Sequence, residues 1–290
     1  MHVKIRAPAK VNLRLRVLGK RNDGYHFIDT VIVPVSLYDE VEITQTEVTR
    51  MKAKSTPRLT VTCDHSDVPS GEKNLVYRAA SLLLGKIKIA NKISIHIRKN
   101  IPVGAGLGGG SSDAAATLVS LNRFLRLGYD SKKLVLLSRQ LGADVPFFIH
   151  GRPARAQGVG ERLVLLPGFP RFWLIILYPG FPVSTRWAYE NLPPTLTKTI
   201  ENTSIQRLLR CVKDLQNFLV NDLEAVTVAR YPRLDYLKEK LTEQGALGAS
   251  MSGSGSSVFG IFSSRENATR AFGRLRNEEG VQAFLVRVLS

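Results

Sequence analysis

The sequence predicts an α+β protein with two lobes. Strand-like segments fill the first third of the chain, and helices mixed with strands follow, an order typical of α+β folds. A chain of 290 residues suffices for one large or two ordinary domains. Its 44% hydrophobic and 22% charged residues match the composition of globular proteins. We place the domain boundary near residue 150, which gives domains 1–150 and 151–290.

The first half of the chain is predicted from hydrophobic periodicity and turn residues. Β-branched or alternating residues, separated by turn signals such as Asn22-Asp-Gly24, indicate strands at 4–6, 11–18, 30–35, 39–44 and 59–63. The polar segment 46–58 is predicted to be a mobile hairpin loop. An amphipathic helix over 74–84, an alternating strand over 92–98 and helices over 111–125 and 131–141 follow.

The second half is predicted in the same way. An extended segment covers 154–165, and the apolar run 172–178 is typical of a buried strand. The predicted helices are 204–212, 215–218 onward, 231–244 and 265–278. Strands at 257–262 and 282–288 complete the prediction.

Composition limits the cellular setting. The longest apolar run, 172–178, is too short to span a bilayer, and the first residues show no apolar core of a secretory signal. Cys63 and Cys211 lack the spacing of a metal site, so we expect two reduced thiols. These observations predict a cytoplasmic protein without a membrane partner, and they leave the oligomeric state open.

The net charge is strongly positive. The chain has 41 Lys and Arg residues against 24 Asp and Glu residues, a formal charge of +17. The basic residues are spread along the chain rather than gathered in a stripe, so an anion-binding cleft is favoured over nucleic-acid binding. A basic nucleic-acid-binding module remains the alternative from another class.

The segment from Ile101 to Ala116 predicts a phosphate site. Five of the seven residues from Gly104 to Gly110 are glycine, and Ser111, Ser112 and a helix-forming run follow. Glycines let the backbone approach a ligand closely, and a helix start presents unpaired N–H groups and a positive dipole end. Together these features make a seat for phosphate.

Three other interpretations of this segment fit less well. A Walker loop requires a lysine that is absent here. The spacing of Gly104, Gly106 and Gly109 matches the dinucleotide fingerprint, with Asp130 at the ribose position, but the residues around Asp130 predict a helix stop and a new N-cap. A plain turn needs fewer glycines.

Three further segments carry candidate chemistry. Lys10 and Asn12 stand two residues apart in a predicted strand and therefore share one face, where an anion or a hydroxyl could bind. The turn Gly24-Tyr-His26 exposes an aromatic ring and an imidazole. Asp144 precedes Val-Pro and is either a helix cap or a functional carboxylate. A second glycine-rich segment spans 248–255, between a helix and a strand.

The glycine segment, together with Ala7-Pro-Ala-Lys10-Val-Asn12-Leu13 and Gly142-Ala-Asp144, resembles the GHMP kinases, and the resemblance runs from about residue 3 to 288. It implies a two-lobed fold, with an N-terminal lobe like domain 2 of ribosomal protein S5, a C-terminal α/β lobe, and an active site in the cleft between them. It also implies ATP-dependent phosphorylation of a small-molecule alcohol.

The resemblance assigns roles residue by residue. Asp144 would be the catalytic base and Lys10 its neighbour, an arrangement that suits attack of a hydroxyl on the γ-phosphorus. Ser111 or Ser112 would help to hold Mg²⁺. The implied ATP-binding residues are Asn74, Lys99, Pro102, Val103, Gly104, Ala105, Gly106, Leu107, Gly108, Gly109, Gly110, Ser111 and Ser112.

The Asp-Gly-Tyr-His turn resembles one branch of the family, in which the acceptor is a cytidine diphosphate conjugate of a methylerythritol. The branch implies that Tyr25 and Tyr189 stack on the cytosine while His26 binds its edge. The implied acceptor-binding residues are Asn12, Tyr25, His26, Thr185, Tyr189, Ser252 and Gly253. Asn22 stands where the family usually has proline. A mevalonate-type or homoserine-type acceptor is the alternative within the family.

Overall fold

The computed structural model describes residues 2–46, 59–85, 92–193 and 218–290. They form two compact units, each assembled from separate stretches of chain. The first unit comprises residues 1–9, 38–103 and 108–151, and the second comprises 10–37, 104–107 and 152–290. Cys211, most of the predicted loop 46–58, the helix predicted at 204–212 and residues 215–217 of the next predicted helix lie outside the described residues. The predicted continuation of that helix beyond residue 218 is wrong, because residues 220–221 form a strand. The division at residue 150 stays a prediction.

The first unit pairs strands with helices. Strand β4 (Lys92–Arg98) lies antiparallel to the end of β2 (His26–Thr46) and parallel to β3 (Leu59–Cys63). Strict alternation buries Ile93, Ile95 and Ile97 on one face of β4. The helices of this unit are α1 (Leu75–Leu84), α2 (Gly109–Phe124), α3 (Ser131–Ser138) and α4 (Val145–His150), with a 3₁₀ turn at Gly71–Lys73.

The second unit contains a four-stranded antiparallel sheet in the order β11-β7-β10-β9. Its strands are β7 (Trp173–Tyr178), β9 (Gly248–Met251), β10 (Val258–Phe262) and β11 (Gln282–Arg287). Elsewhere in this unit β2 pairs with β5 (Ala154–Gly158), and β5 pairs with β6 (Arg162–Leu165). Strand β1 (His2–Lys20) runs parallel to the short β8 (Val220–Asn221).

Four helices belong to the second unit: α5 (Thr185–Glu190), α6 (Glu224–Arg230), α7 (Arg233–Glu243) and α8 (Arg265–Leu275). Leucines of α7 and alanines of α8 pack with residues of β7 and β10 in one buried cluster. Burial of this apolar surface is the main force that holds the helices on the sheet. Within the described residues, no helix has the length and apolar character needed to cross a membrane.

The α+β fold class is confirmed, and several elements differ from the prediction in their limits. The two strands predicted on each side of residue 10 form the single β1, and those from 30 to 44 form the single β2. The extended segment 154–165 is a hairpin. Short α4, α5 and α6 were not predicted, because six or seven residues hardly show a helical period. Residues 248–251 form a strand since pairing with β10 overrides their weak propensity.

Candidate active site

The first glycine loop, residues 104–110, requires glycine at particular positions. Gly104, Gly106 and Gly108 have positive φ angles of 67°, 79° and 71°. A Cβ on Gly106 would lie 2.0 Å from the carbonyl oxygen of Ser252. Since no side chain fits there, the first glycine loop touches the second glycine-rich segment backbone to backbone.

The loop leads directly into the start of α2. Gly108 is the N-cap residue in the left-handed conformation, and the first turn of α2 contains no acidic residue. The first N–H groups of a helix have no partner within it, so this end of α2 offers donors and a positive dipole end to a phosphate. Asp130 accepts a hydrogen bond from Lys133 N–H at 2.8 Å and begins α3. This confirms the predicted N-cap and removes the ribose-binding alternative.

Lys99 lies next to the start of α2, in a buried group of charged side chains. Its Nζ donates to Asp113 Oδ2 at 2.8 Å and to Asp39 Oδ2, and the three side chains are at most 4% exposed. Asp39 Oδ1 also accepts from the N–H groups of Asn100 and Ile101. The Lys99 ammonium is therefore part of the support of the loop, and its assignment to ATP stays a prediction.

Burial sets the protonation of this group. It raises the pKa of Asp113 to about 7, although the Lys99 ammonium pulls in the opposite direction. Burial also opposes the charge on Lys99, but the Asp113 and Asp39 carboxylates prevail and raise the pKa of Lys99. The lysine therefore stays charged at neutral pH.

Asn74 has a structural place at the start of α1. Its Oδ1 accepts from the N–H groups of Val76 and Tyr77, and its Nδ2 donates to Pro69 O at 2.8 Å. These bonds make it the N-cap of α1. Its predicted contact with ATP stays a prediction.

Lys10 and Asn12 meet on β1, as their two-residue spacing predicts. Both side chains are buried at 5% exposure, and Lys10 Nζ donates to Asn12 Oδ1. Asn12 Nδ2 in turn donates to Thr30 Oγ1 at 2.8 Å, which fixes the amide so that its oxygen faces the lysine.

The second glycine loop, which we define as residues 252–257 between β9 and β10, lies against this pair. A Cβ on Gly253 would be 3.4 Å from Lys10 Nζ and 3.3 Å from Asn12 Oδ1. Ser252 Oγ accepts from Asn12 N–H at 3.2 Å and donates to Gly106 O at 3.0 Å. The Ser252 hydroxyl thus joins β1 to the first glycine loop, and its predicted contact with the acceptor stays a prediction.

The aromatic residues of the predicted acceptor site come partly together. The rings of His26 and Tyr189 stack with centroids 5.1 Å apart, and Tyr25 is 66% exposed. Burial, helped by the charge of Lys20, lowers the pKa of His26, so the imidazole is neutral at pH 7. Thr185, at the start of α5, forms a hydroxyl–hydroxyl hydrogen bond of 3.0 Å with Ser254.

Asp144 precedes α4 without capping it. Its backbone is helical, with φ −81° and ψ −18°, and its side chain accepts no hydrogen bond from the helix. Pro146 occupies an early position of α4, where a missing N–H does no harm. The side chain of Asp144 therefore makes no capping hydrogen bond, and its role as a functional carboxylate stays a prediction.

Sequence reasoning missed Asn221 and Glu224. Asn221 Nδ2 donates to the carbonyl oxygens of Met251 and Gly253, and Glu224 Oε1 accepts from Met251 N–H. The polar run Asn221-Asp-Leu-Glu224 between apolar residues was a usable signal, since buried polar side chains need partners.

Comparison with known proteins gives the class. The model of the GHMP kinases N terminal domain matches residues 74–152, and that of the GHMP kinases C terminal domain matches residues 196–282. The chain therefore belongs to the GHMP kinase family. Two relatives, from Geobacter metallireducens and Citrifermentans bemidjiense, are named 4-diphosphocytidyl-2-C-methyl-D-erythritol kinase. Each is 44% identical to this chain, with 98% and 99% of both chains covered, respectively.

Solved structures agree with this class. A crystal structure of 4-(cytidine 5'-diphospho)-2C-methyl-D-erythritol kinase matches 99% of this chain and all of its own, with a TM-score of 0.82 and 35% identity. Homoserine kinase from Cytophaga hutchinsonii, at 22% identity and a TM-score of 0.75, shares the fold. The predicted GHMP kinase fold is confirmed.

Proposed function

We propose that the protein transfers the γ-phosphate of ATP to the 2-hydroxyl of 4-diphosphocytidyl-2-C-methyl-D-erythritol, which yields the 2-phosphate and ADP. This reaction belongs to the non-mevalonate isoprenoid pathway, and we place it in the cytoplasm. The observation that carries the proposal is the name shared by relatives about 44% identical over nearly the whole chain. The His26–Tyr189 pair supports a pyrimidine-bearing acceptor.

ATP is the donor in this proposal, with its phosphates at the start of α2. Residues 102–112 supply backbone N–H groups and a dipole end, and the small side chains leave room for close approach. Such fixed donors stabilise charge on the transferring group without reorganising during the reaction.

The proposed catalytic pair is Asp144 and Lys10. Asp144 would accept the proton of the attacking hydroxyl, which is the task of a general base in phosphoryl transfer. Lys10 would offset negative charge on the transferring phosphoryl group. Two observations support this pair: the carboxylate of Asp144 makes no capping hydrogen bond, and Asn12 holds the buried ammonium of Lys10 in one orientation.

The start of α2 also fits a magnesium ion. Ser112 Oγ and Asp113 Oδ1 are buried oxygens without a hydrogen-bond partner in the part of the chain that the structure describes. Mg²⁺ prefers oxygen ligands, and at kinase sites it is held by few protein groups together with phosphate and water. We propose Ser111 or Ser112 as its protein ligand. The ion would neutralise charge between the β- and γ-phosphates.

The ring stack supports the proposed acceptor site. Since the Tyr189 and His26 rings stack on each other, each leaves its other face for a base, and a neutral imidazole can donate one hydrogen bond and accept another. Tyr25 is exposed and free of burial constraints, so its ring could close on the opposite face of the cytosine. Asn12, Thr185, Ser252 and Gly253 would lie toward the methylerythritol and its diphosphate.

A panel of alcohols tests the proposal. ADP release is measured by a coupled assay with the cytidine diphosphate conjugate, mevalonate and homoserine at equal concentrations. We expect kcat/KM for the conjugate to exceed that for either other alcohol by at least about 1,000-fold. Without the cytosine, the polar groups that would bind it are left without hydrogen-bond partners. Preference for an acceptor that lacks cytidine would contradict the proposed acceptor and retain the kinase class.

A further inference from the structure

The second glycine loop has no helix to orient its backbone. It connects the antiparallel strands β9 and β10, and three of its glycine or serine residues neighbour Lys10, Asn12 or Gly106. A loop with little side-chain bulk keeps one conformation only when its backbone groups find fixed partners. Many of these partners come from one segment, residues 221–227.

Asn221 makes the central contacts. It lies on β8, beside Arg14 and Leu15 of β1, and is 8% exposed. Its Nδ2 donates to Met251 O at 2.7 Å and to Gly253 O at 2.8 Å. Its Oδ1 accepts from Leu223 N–H at 3.0 Å. One amide thus holds two carbonyl groups on either side of Ser252, which sets the bend of the chain there.

Glu224 and Thr227 extend this support along the loop. Glu224 Oε1 accepts from Ser250 Oγ and Met251 N–H, both at 2.6 Å, at the end of β9. Thr227 Oγ1 donates to Ser254 O at 3.3 Å. We call Asn221, Glu224 and Thr227 the bracket. Its two donors hold the carbonyl groups of residues 251, 253 and 254.

The bracket determines what the loop presents to Lys10. Because a trans peptide bond places a carbonyl group and the following N–H group on opposite sides, the held carbonyl group of Gly253 turns the N–H group of Ser254 away from the bracket, next to that of the preceding Gly253. Neither N–H has an acceptor among the residues that the structure describes. Gly253 has a φ of +60°, and a Cβ added to it would lie 3.4 Å from Lys10 Nζ. Adjacent free N–H groups around a left-handed residue form a concavity that suits an anion.

We propose that Asn221 is a positioning residue for phosphoryl transfer, whose amide holds Gly253 and Ser254 so that their N–H groups and Lys10 face the same anionic group. This inference rests on the proposed function. Asn221 acts through the backbone of residues 251 and 253. Its loss therefore alters the orientation of the loop while ATP keeps its main contacts at the start of α2.

The chain offers a matched control in the next residue. Asp222 is equally buried, at 6% exposure, but it accepts from Val17 N–H at 2.8 Å and Arg16 Nη1 at 2.9 Å. It supports β1 and does not contact the loop in any hydrogen bond of the described residues. A change at Asp222 therefore reports the cost of disturbing this segment without releasing the loop.

The experiment compares Asn221→Asp with Asp222→Asn in the full chain. The assay temperature is kept below the thermal unfolding midpoints of both variants. A carboxylate at 221 faces two carbonyl oxygens and cannot donate to them, so the loop is released. We expect kcat to fall about 10- to 100-fold, the size of effect that a displacement of about 1 Å can have, with the KM for ATP changed less than about threefold. Asp222→Asn should keep kcat within about threefold of the parent protein.

Hydrogen exchange supplies a readout that does not depend on the acceptor. Exchange in residues 248–260 should accelerate in Asn221→Asp and remain unchanged in Asp222→Asn. If the parent protein phosphorylates no cytidine conjugate, the proposed function fails, and the exchange data still decide the role of Asn221. If Asn221→Asp does not fold, Thr227→Val replaces it, with an expected loss in kcat of about three- to tenfold. Equal kcat in both variants, or unchanged exchange in the loop, would overturn the inference.

Discussion

The two glycine loops contact each other, yet they are supported by different means. The first, residues 104–110, runs into α2, and the helix orients its final N–H groups. The second, residues 252–257, joins two strands and depends on the side chains of Asn221, Glu224 and Thr227. A helix start carries its own polarity, whereas a strand connection obtains its orientation from tertiary hydrogen bonds. Single substitutions outside the second loop, in the side chains that hold it, should therefore change its backbone orientation more readily than that of the first loop.

The largest expected effect lies outside both loops, because neither can accept the proton. Asp144→Asn keeps the shape of the side chain and removes its basicity. We expect kcat to fall about 100- to 10,000-fold, the usual contribution of a general base. Turnover is measured under saturating ATP and acceptor.

Nucleotide binding is the control for Asp144→Asn. The Kd of ATP should stay within about threefold of the parent value, because the phosphate seat is unchanged. If kcat were retained, Asp144 would not be the base, and another group would have to accept the proton.

The next largest effect tests the contact between the loops. Gly106→Ala places a methyl group 2.0 Å from Ser252 O at a left-handed position. We expect the free energy of unfolding to drop by at least about 2 kcal/mol, of which the left-handed backbone alone accounts for about 1–2 kcal/mol. Urea denaturation of the purified protein measures this change.

Gly110→Ala is the matched control in the same loop. Its nearest neighbour would be Leu75 Cδ1 at 3.8 Å, an ordinary contact, and its backbone is helical. This substitution should leave the stability unchanged or raise it by about 0.5–1 kcal/mol, as alanine does in a helix. Similar losses at both positions would show that the loops do not meet at Gly106.

The smallest effect concerns the buried charged side chains of Lys99, Asp39 and Asp113 beside the first loop. Burial raises the pKa of Asp113 to about 7, well above that of an unfolded aspartate. The folded state therefore binds a proton that the unfolded state releases, and stability is lost as the pH rises from about 4 to 7. Asp113→Asn removes this loss, so its stability relative to the parent protein should increase between pH 5 and pH 7.

Thermal unfolding midpoints at several pH values measure this difference. Asp130→Asn, which alters an exposed helix cap elsewhere in the same unit, is the comparison variant and should show no comparable rise. A pH-independent difference for Asp113→Asn would mean that Asp113 is already ionised at pH 5.

Local features of the site could be predicted from the sequence. Lys10 and Asn12 share a face because strand periodicity places residues i and i+2 together, and Asp130 caps α3 through a contact only three residues long. Asn221 was missed because its partners, Met251 and Gly253, lie about thirty residues further along the chain. The burial of Lys99 was missed for the same reason, since Asp39 is 60 residues away.

The most direct test of the account is to determine where the phosphate goes. The protein is incubated with ATP, Mg²⁺ and 4-diphosphocytidyl-2-C-methyl-D-erythritol, and the purified product is examined by ³¹P and ¹³C NMR. We predict one new phosphomonoester signal beside the intact diphosphate, with phosphorus coupling to carbon 2 of the methylerythritol. A phosphate on another hydroxyl, or an unchanged acceptor with release of inorganic phosphate, would contradict the account.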